Sequence, residues 1–135
     1  MRTIKFRGRT DDNRWVYGSS LTLDADDYAA ITVCKKSDKN VTVKIDPGTL
    51  GQYTGLKDAN GNEIYEGDII ADLDNLGIRH LIFYKEIQGR FMAALNGDIE
   101  NDFFGVCGLD DKKWIACKVI IGNIYDNPEL LNINI

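Results

Sequence analysis

The stretch GQYTGLKDANGNEIYEGDII, residues 51–70, carries four glycines among tyrosines and isoleucines, and it limits the fold more than any other segment. Asn60-Gly61 suits the two central positions of a type I′ turn, where both residues need positive φ. Its flanks, Tyr53 to Leu56 and Glu63 to Tyr65, read as short strands, so a hairpin is expected. Gly67-Asp68 makes a second tight corner, from which Ile69 and Ile70 enter a buried strand. Asn60, Gly61, Gly67 and Asp68 are therefore expected to be structural turn residues. The stretch also begins like a calcium loop, with Asp58, Asn60 and Asn62 at alternate positions. Glu63 then stands where the sharp bend needs glycine, and Ile69 where a bidentate carboxylate belongs, so no metal is expected.

Period two runs through much of the remaining chain. Residues 3–7 alternate, with Ile4 and Phe6 on one face and basic groups on the other, and Trp15-Val16-Tyr17 reads the same way. Thr10-Asp11-Asp12-Asn13 between them is turn chemistry, which predicts a first hairpin. Ala29 to Cys34 and Val41 to Ile45 predict a second. After Asp46-Pro47-Gly48 come strands at Asp68 to Leu73, Arg79 to Tyr84, Arg90 to Leu95 and Trp114 to Ile121. Short strands at this spacing imply a barrel or sandwich. Helix signals are few. Ser19 to Asp27 suits one acidic turn, and Asn127-Pro128-Glu129-Leu130-Leu131 offers a capping side chain followed by proline at the first helical position.

At 135 residues with 44% apolar content, the chain can bury a core without disulfides. Cys34, Cys107 and Cys117 form no Cys-x-x-Cys pair, which fits a reducing cytoplasm and cysteines packed as small hydrophobes. No apolar run reaches the ~18 residues of a membrane span, and Met1 to Arg7 lacks a signal peptide's apolar region, so a bacterial cytoplasmic location with no membrane partner is expected. The net charge of −5 is uneven: residues 1–50 carry +2 and residues 51–135 carry −7. Nucleic acid is thus disfavoured as a partner except through the basic N-terminal patch.

The motifs RWVYG (14–18), GQYTGLKDANGNEIYEGDII (51–70) and VIIGNIYDNPELL (119–131) together resemble the YopX family of small phage and prophage proteins. The resemblance runs from Ile4 through Leu131. It implies a mainly β protein: N-terminal β-hairpins over residues 1–62 and an SH3-like β-barrel over residues 63–135, or one integrated domain over 1–135, with a short C-terminal helical turn. It also implies self-association and a phage or prophage origin. The family brings no assigned activity, and no catalytic residue is carried over.

A search for chemistry is mostly negative. The chain lacks a Gly-x-Ser-x-Gly elbow, a phosphate loop, a dinucleotide fingerprint and a His-Glu-x-x-His pair, so no cofactor and no catalytic residue are expected. His80 is the single histidine, which leaves one candidate general base against the plainer reading of a histidine satisfied by its neighbours. Glu66, Asp68, Asp72 and Asp74 fall at alternate strand positions, where they form a carboxylate cluster or, more simply, a solvated strand face. Arg7, Arg9, Arg14, Trp15 and Tyr17 are the candidate binding residues: stacking aromatics among cations suit single-stranded nucleic acid, and the same aromatics suit a core or subunit interface. The expected function is a non-enzymatic, oligomeric accessory module that binds a host or phage protein. The alternative is a nucleic-acid accessory factor acting through the basic hairpin.

Overall fold

The computed structural model describes residues 3–34, 39–100, 106–108 and 112–131. Its strands are β1 (Phe6–Arg9), β2 (Trp15–Gly18), β3 (Ser20–Asp24), β4 (Tyr28–Cys34), β5 (Asn40–Ile45), β6 (Gly51–Lys57), β7 (Glu63–Tyr65), β8 (Asp68–Asp72), β9 (Arg79–Lys85), β10 (Arg90–Leu95), β11 (Val106–Gly108) and β12 (Lys118–Asn123). One helical turn, α1 (Lys112–Ile115), precedes β12, and 3₁₀ turns occupy Pro47–Thr49 and Pro128–Leu131. The protein is mainly β, and its strand registers are antiparallel. It divides into two compact units, Met1–Tyr53 and Thr54–Ile135.

In the first unit the expected hairpin forms, with Arg7 opposite Tyr17 and Arg9 opposite Trp15. Asn13 takes φ 63°, the left-handed conformation its short side chain tolerates, and the Thr10 N–H donates to the Arg14 carbonyl at 2.9 Å. On its other side β1 pairs with the start of β6. A three-stranded sheet, β3-β4-β5, supplies Ala29, Ile31 and Ile45 to a core completed by Phe6, Val16, Leu21, Val33 and Leu50. Gly8 and Gly18 are glycines because this core leaves no space beside them. A Cβ on Gly8 would overlap the Ile45 side chain, and one on Gly18 would lie 2.5 Å from the Thr32 carbonyl oxygen and 2.7 Å from Ile31. The acidic helical turn expected over Ser19 to Asp27 is instead β3 and a turn. Leu21 is drawn into the core as a strand residue, while the Asp24 carboxylate accepts the Ala25 N–H at 2.6 Å and Asp27 takes φ 55°.

The second unit begins with the remainder of β6 beside β7 and continues into a five-stranded sheet, β11-β10-β9-β8-β12. β8 to β11 form a meander; α1 then carries the chain back so that β12 pairs with β8, with a bulge between Ile120 and Gly122. β11 and β12 stand at the edges, and among the described residues no pairing closes the sheet into a barrel. Ile64, Ile70, Ile82, Ala93 and Ile115 make the core, against which Leu56, Phe91, Trp114 and Ile120 pack. Burying each isoleucine contributes about 1.5–3 kcal/mol. The strand expected from Trp114 starts only at Lys118. A strand would send Trp114 and Ile115 to opposite faces, whereas the helical turn lets both pack on one core. The C-terminal helical turn forms as expected. Cys34 and Cys117 are exposed thiols, not buried hydrophobes, because each sits where a strand or turn ends; the side chain of Cys107 lies outside what is described.

Candidate functional site

Residues 51–70 form a self-wired corner. Asp58, 6% exposed, accepts the N–H groups of Asn60 and Asn62 on Oδ1, both at 2.9 Å, and that of Ile120 on Oδ2 at 3.0 Å. The Asp58 N–H donates to the Asn62 carbonyl at 2.8 Å, so the hairpin closes around three residues instead of two. Only Gly61, at φ 84°, needs a positive φ, and the type I′ expectation fails for this reason. The oxygen that resembled a calcium ligand is thus committed to backbone amides, and the described residues hold no group of three or more metal-ligating side chains.

The second corner is wired the same way. Asp68, 2% exposed, accepts the Tyr65 N–H on Oδ2 at 2.8 Å. Gly67, at φ 89°, donates to the Ile82 carbonyl and accepts from Ile124, both at 2.8 Å. In the segment after β12, Asn123 Oδ1 accepts the N–H groups of Tyr125 and Asp126 at 3.0 and 2.9 Å. Glu66, Gly67, Leu81, Ile82, Phe83, Ile124 and Tyr125 line a mainly apolar groove of about 320 Å³.

His80 and the carboxylates meet a partner that sequence reasoning missed. Lys118 on β12 is 6% exposed and forms an ion pair with Asp72, its cross-strand neighbour on β8. Its Nζ also lies 4.4 Å from the centroid of the Trp114 ring, a cation–π contact. His80, 7% exposed, meets the same ring edge-on at 5.1 Å, and its Nδ1 has no hydrogen-bond partner among the described residues. Burial lowers the His80 pKa, and the Lys118 ammonium lowers it further against the weaker opposing pull of Asp72. The signal for Lys118 was a single lysine inside the apolar run Trp114 to Ile121. The carboxylates expected on one face separate in role: Asp68 binds backbone, Asp72 binds Lys118, Asp74 is exposed, and Glu66 lies in the turn.

Because the folded state disfavours the proton on His80, the unfolded chain binds more protons in the histidine range. Stability is then complete above the ordinary histidine value near 6.5 and declines as pH falls through it. Chemical denaturation between pH 7.5 and 5.5 is expected to show this decline, and His80→Leu should flatten it; an unchanged slope would assign the effect elsewhere.

The candidate binding residues of the first unit occupy one hairpin. The register places Arg7, Arg9, Trp15 and Tyr17 on a common face of β1 and β2. The Arg7 guanidinium lies 4.7 Å from the Trp15 ring centroid, and Arg7 is only 5% exposed. Tyr17 is exposed, and Arg14, beyond the turn, pairs with Asp12 at 2.8 Å.

Fold and site together define a mainly β protein of antiparallel sheets whose motif residues serve its own backbone. The chain belongs to the YopX family: the model described as YopX protein matches residues 5–132. Two solved structures are similar to it. Protein EF1440 from Enterococcus faecalis is 25% identical with a TM-score of 0.59, the match covering 97% of this chain and 99% of that one. Protein yopX from Bacillus subtilis is 22% identical with a TM-score of 0.52, covering 97% of both chains, and this likeness concerns the fold. No curated protein matches the chain. Among the described residues, no helix is long and apolar enough to cross a membrane.

Proposed function

We propose that this protein is a phage or prophage accessory protein of the bacterial cytoplasm, a non-enzymatic, self-associating module that binds another protein. The observation that carries the reading is an apolar surface at one end of the second unit's sheet. Leu73, Leu76 and Ile78, in the β8–β9 connection, and Ile99, after β10, are 39–54% exposed. The bonds from Asp72 N–H to Ile78 O and from Asn96 N–H to Arg79 O place both connections at that end. Large aliphatic side chains exposed at the same end of a sheet suit a protein partner. The non-enzymatic reading is supported by the commitment of Asp58, Asp68, Asp72 and Lys118 to internal bonds. The order β12-β8-β9-β10-β11, four strands in a meander with the fifth returning to the first, supports an SH3-like arrangement for the second unit.

The test is affinity capture with tagged protein from phage-infected lysate, with and without nuclease, comparing wild type with Leu73→Ser/Leu76→Ser. Both leucines are more than half exposed, so stability should change by no more than about 0.5 kcal/mol. A partner protein that survives nuclease and is lost in the variant is expected. Equal capture by both proteins would overturn the apolar surface as the site. Capture that vanishes with nuclease would favour the second reading, nucleic-acid binding through the face that holds Arg9, Trp15 and Tyr17.

A further inference from the structure

We propose that β5 is the self-association edge, pairing antiparallel with β5 of a second copy about a two-fold axis through Thr42; this rests on the self-association part of the reading above. β5 has β4 on one side and, among the described residues, no strand on the other. Exposed edges normally carry a guard such as a charge, a bulge, a proline or very short length. Three other edges illustrate this. β3 ends in Asp24 and an acidic turn, β11 has three residues, and β12 carries a bulge and gives its Lys118 carbonyl to the Ala59 N–H.

β5 reads Asn-Val-Thr-Val-Lys-Ile, in which Val41, Thr42, Val43 and Ile45 have high strand propensity and no charge stands from Asn40 to Val43. Its one cation, Lys44, has Nζ 6.0 Å from the Tyr28 ring centroid, turned back over the sheet's own face and away from the edge. Asn40, Val41 and Thr42 are exposed, and Val41 is 38% exposed although it lies on the apolar face with Val43 and Val33.

The occupant is argued from self-complementarity. With Thr42 opposite Thr42 of the second copy, Val41 faces Val43, and Asn40 faces Lys44, twice over by symmetry. No charge meets its like, and two apolar pairs are covered. Thr42 already shares a 3.0 Å hydroxyl bond with Thr32 on β4, so the pairing continues a threonine row across a six-stranded sheet. A symmetric contact of this kind closes on itself and does not grow into a fibre.

Sedimentation of the full chain over a range of concentrations tests the pairing, with Thr42→Lys and, on the opposite edge of the same sheet, Thr22→Lys as its matched control. Thr42→Lys sets two ammonium groups opposite each other at the axis. It should weaken the dimer at least about tenfold while Thr22→Lys leaves it unchanged. Should Thr42→Lys fail to fold, Thr42→Cys in a Cys34→Ser/Cys107→Ser/Cys117→Ser background decides. Oxidation is expected to yield a disulfide-linked dimer that Thr22→Cys in the same background does not form. Wild-type oligomers unaffected by Thr42→Lys, or no cross-link, would overturn β5 as the edge and leave self-association through another surface standing. A wild-type chain that stays monomeric at all concentrations would overturn both.

Discussion

Gly18→Ala is expected to destabilise the first unit by about 3 kcal/mol, the upper end of ordinary overpacking. The added methyl would sit 2.5 Å from the Thr32 carbonyl oxygen and 2.7 Å from Cγ2 of Ile31, a residue with no exposed surface. A flexible side-chain end can swing aside, but here one obstacle is backbone in the β4 ladder and the other is the centre of the core. Relief requires β2 to move away from β4, which uncovers Val16 and Phe6. Urea denaturation with an unchanged m-value and a lowered midpoint is the expected result. A shift below about 0.5 kcal/mol would mean that the strands are not held this close.

The second large effect concerns the ion pair beside His80, and it is asymmetric. Asp72→Ala leaves the Lys118 ammonium, whose side chain is 8% exposed, without its carboxylate, and should cost about 3 kcal/mol. Lys118→Met should cost less than about 1 kcal/mol. It keeps the stem packed on Trp114, and Asp72, 25% exposed, can still reach water. Equal costs for the two variants would show that the pair is effectively solvated. The double variant Asp72→Ala/Lys118→Met should recover most of the loss of the first, because no buried charge remains.

These variants also separate structural from functional roles. Neither Gly18 nor Asp72 belongs to the proposed apolar surface or to the β5 edge, so their effects should appear in stability and not in partner capture by protein that remains folded. Leu73→Ser/Leu76→Ser should behave in the opposite way.

The sequence alone determined the strands of period two, the hairpins at Thr10–Asn13 and around Asn60-Gly61 and the C-terminal 3₁₀ turn, because each depends on residues close together in the chain, and it determined the family through motifs spread along the whole of it. Alternation, turn chemistry and a helix cap are local signals, and they survive folding unless a distant contact overrides them. Only the tertiary structure decided the rest. Asp58 reaches across 62 positions to the Ile120 amide, which ties this turn to β12. Lys118 meets Asp72 across 46 positions, and His80 becomes a buried neighbour of Trp114, its protonation disfavoured, only because β8, β9 and β12 lie side by side. The helical turn at Trp114 and the strand at Ser20–Asp24 follow the same logic. Burial of a tryptophan or a leucine against a core contributes more than the local preference it opposes, and no local pattern records which core will be present.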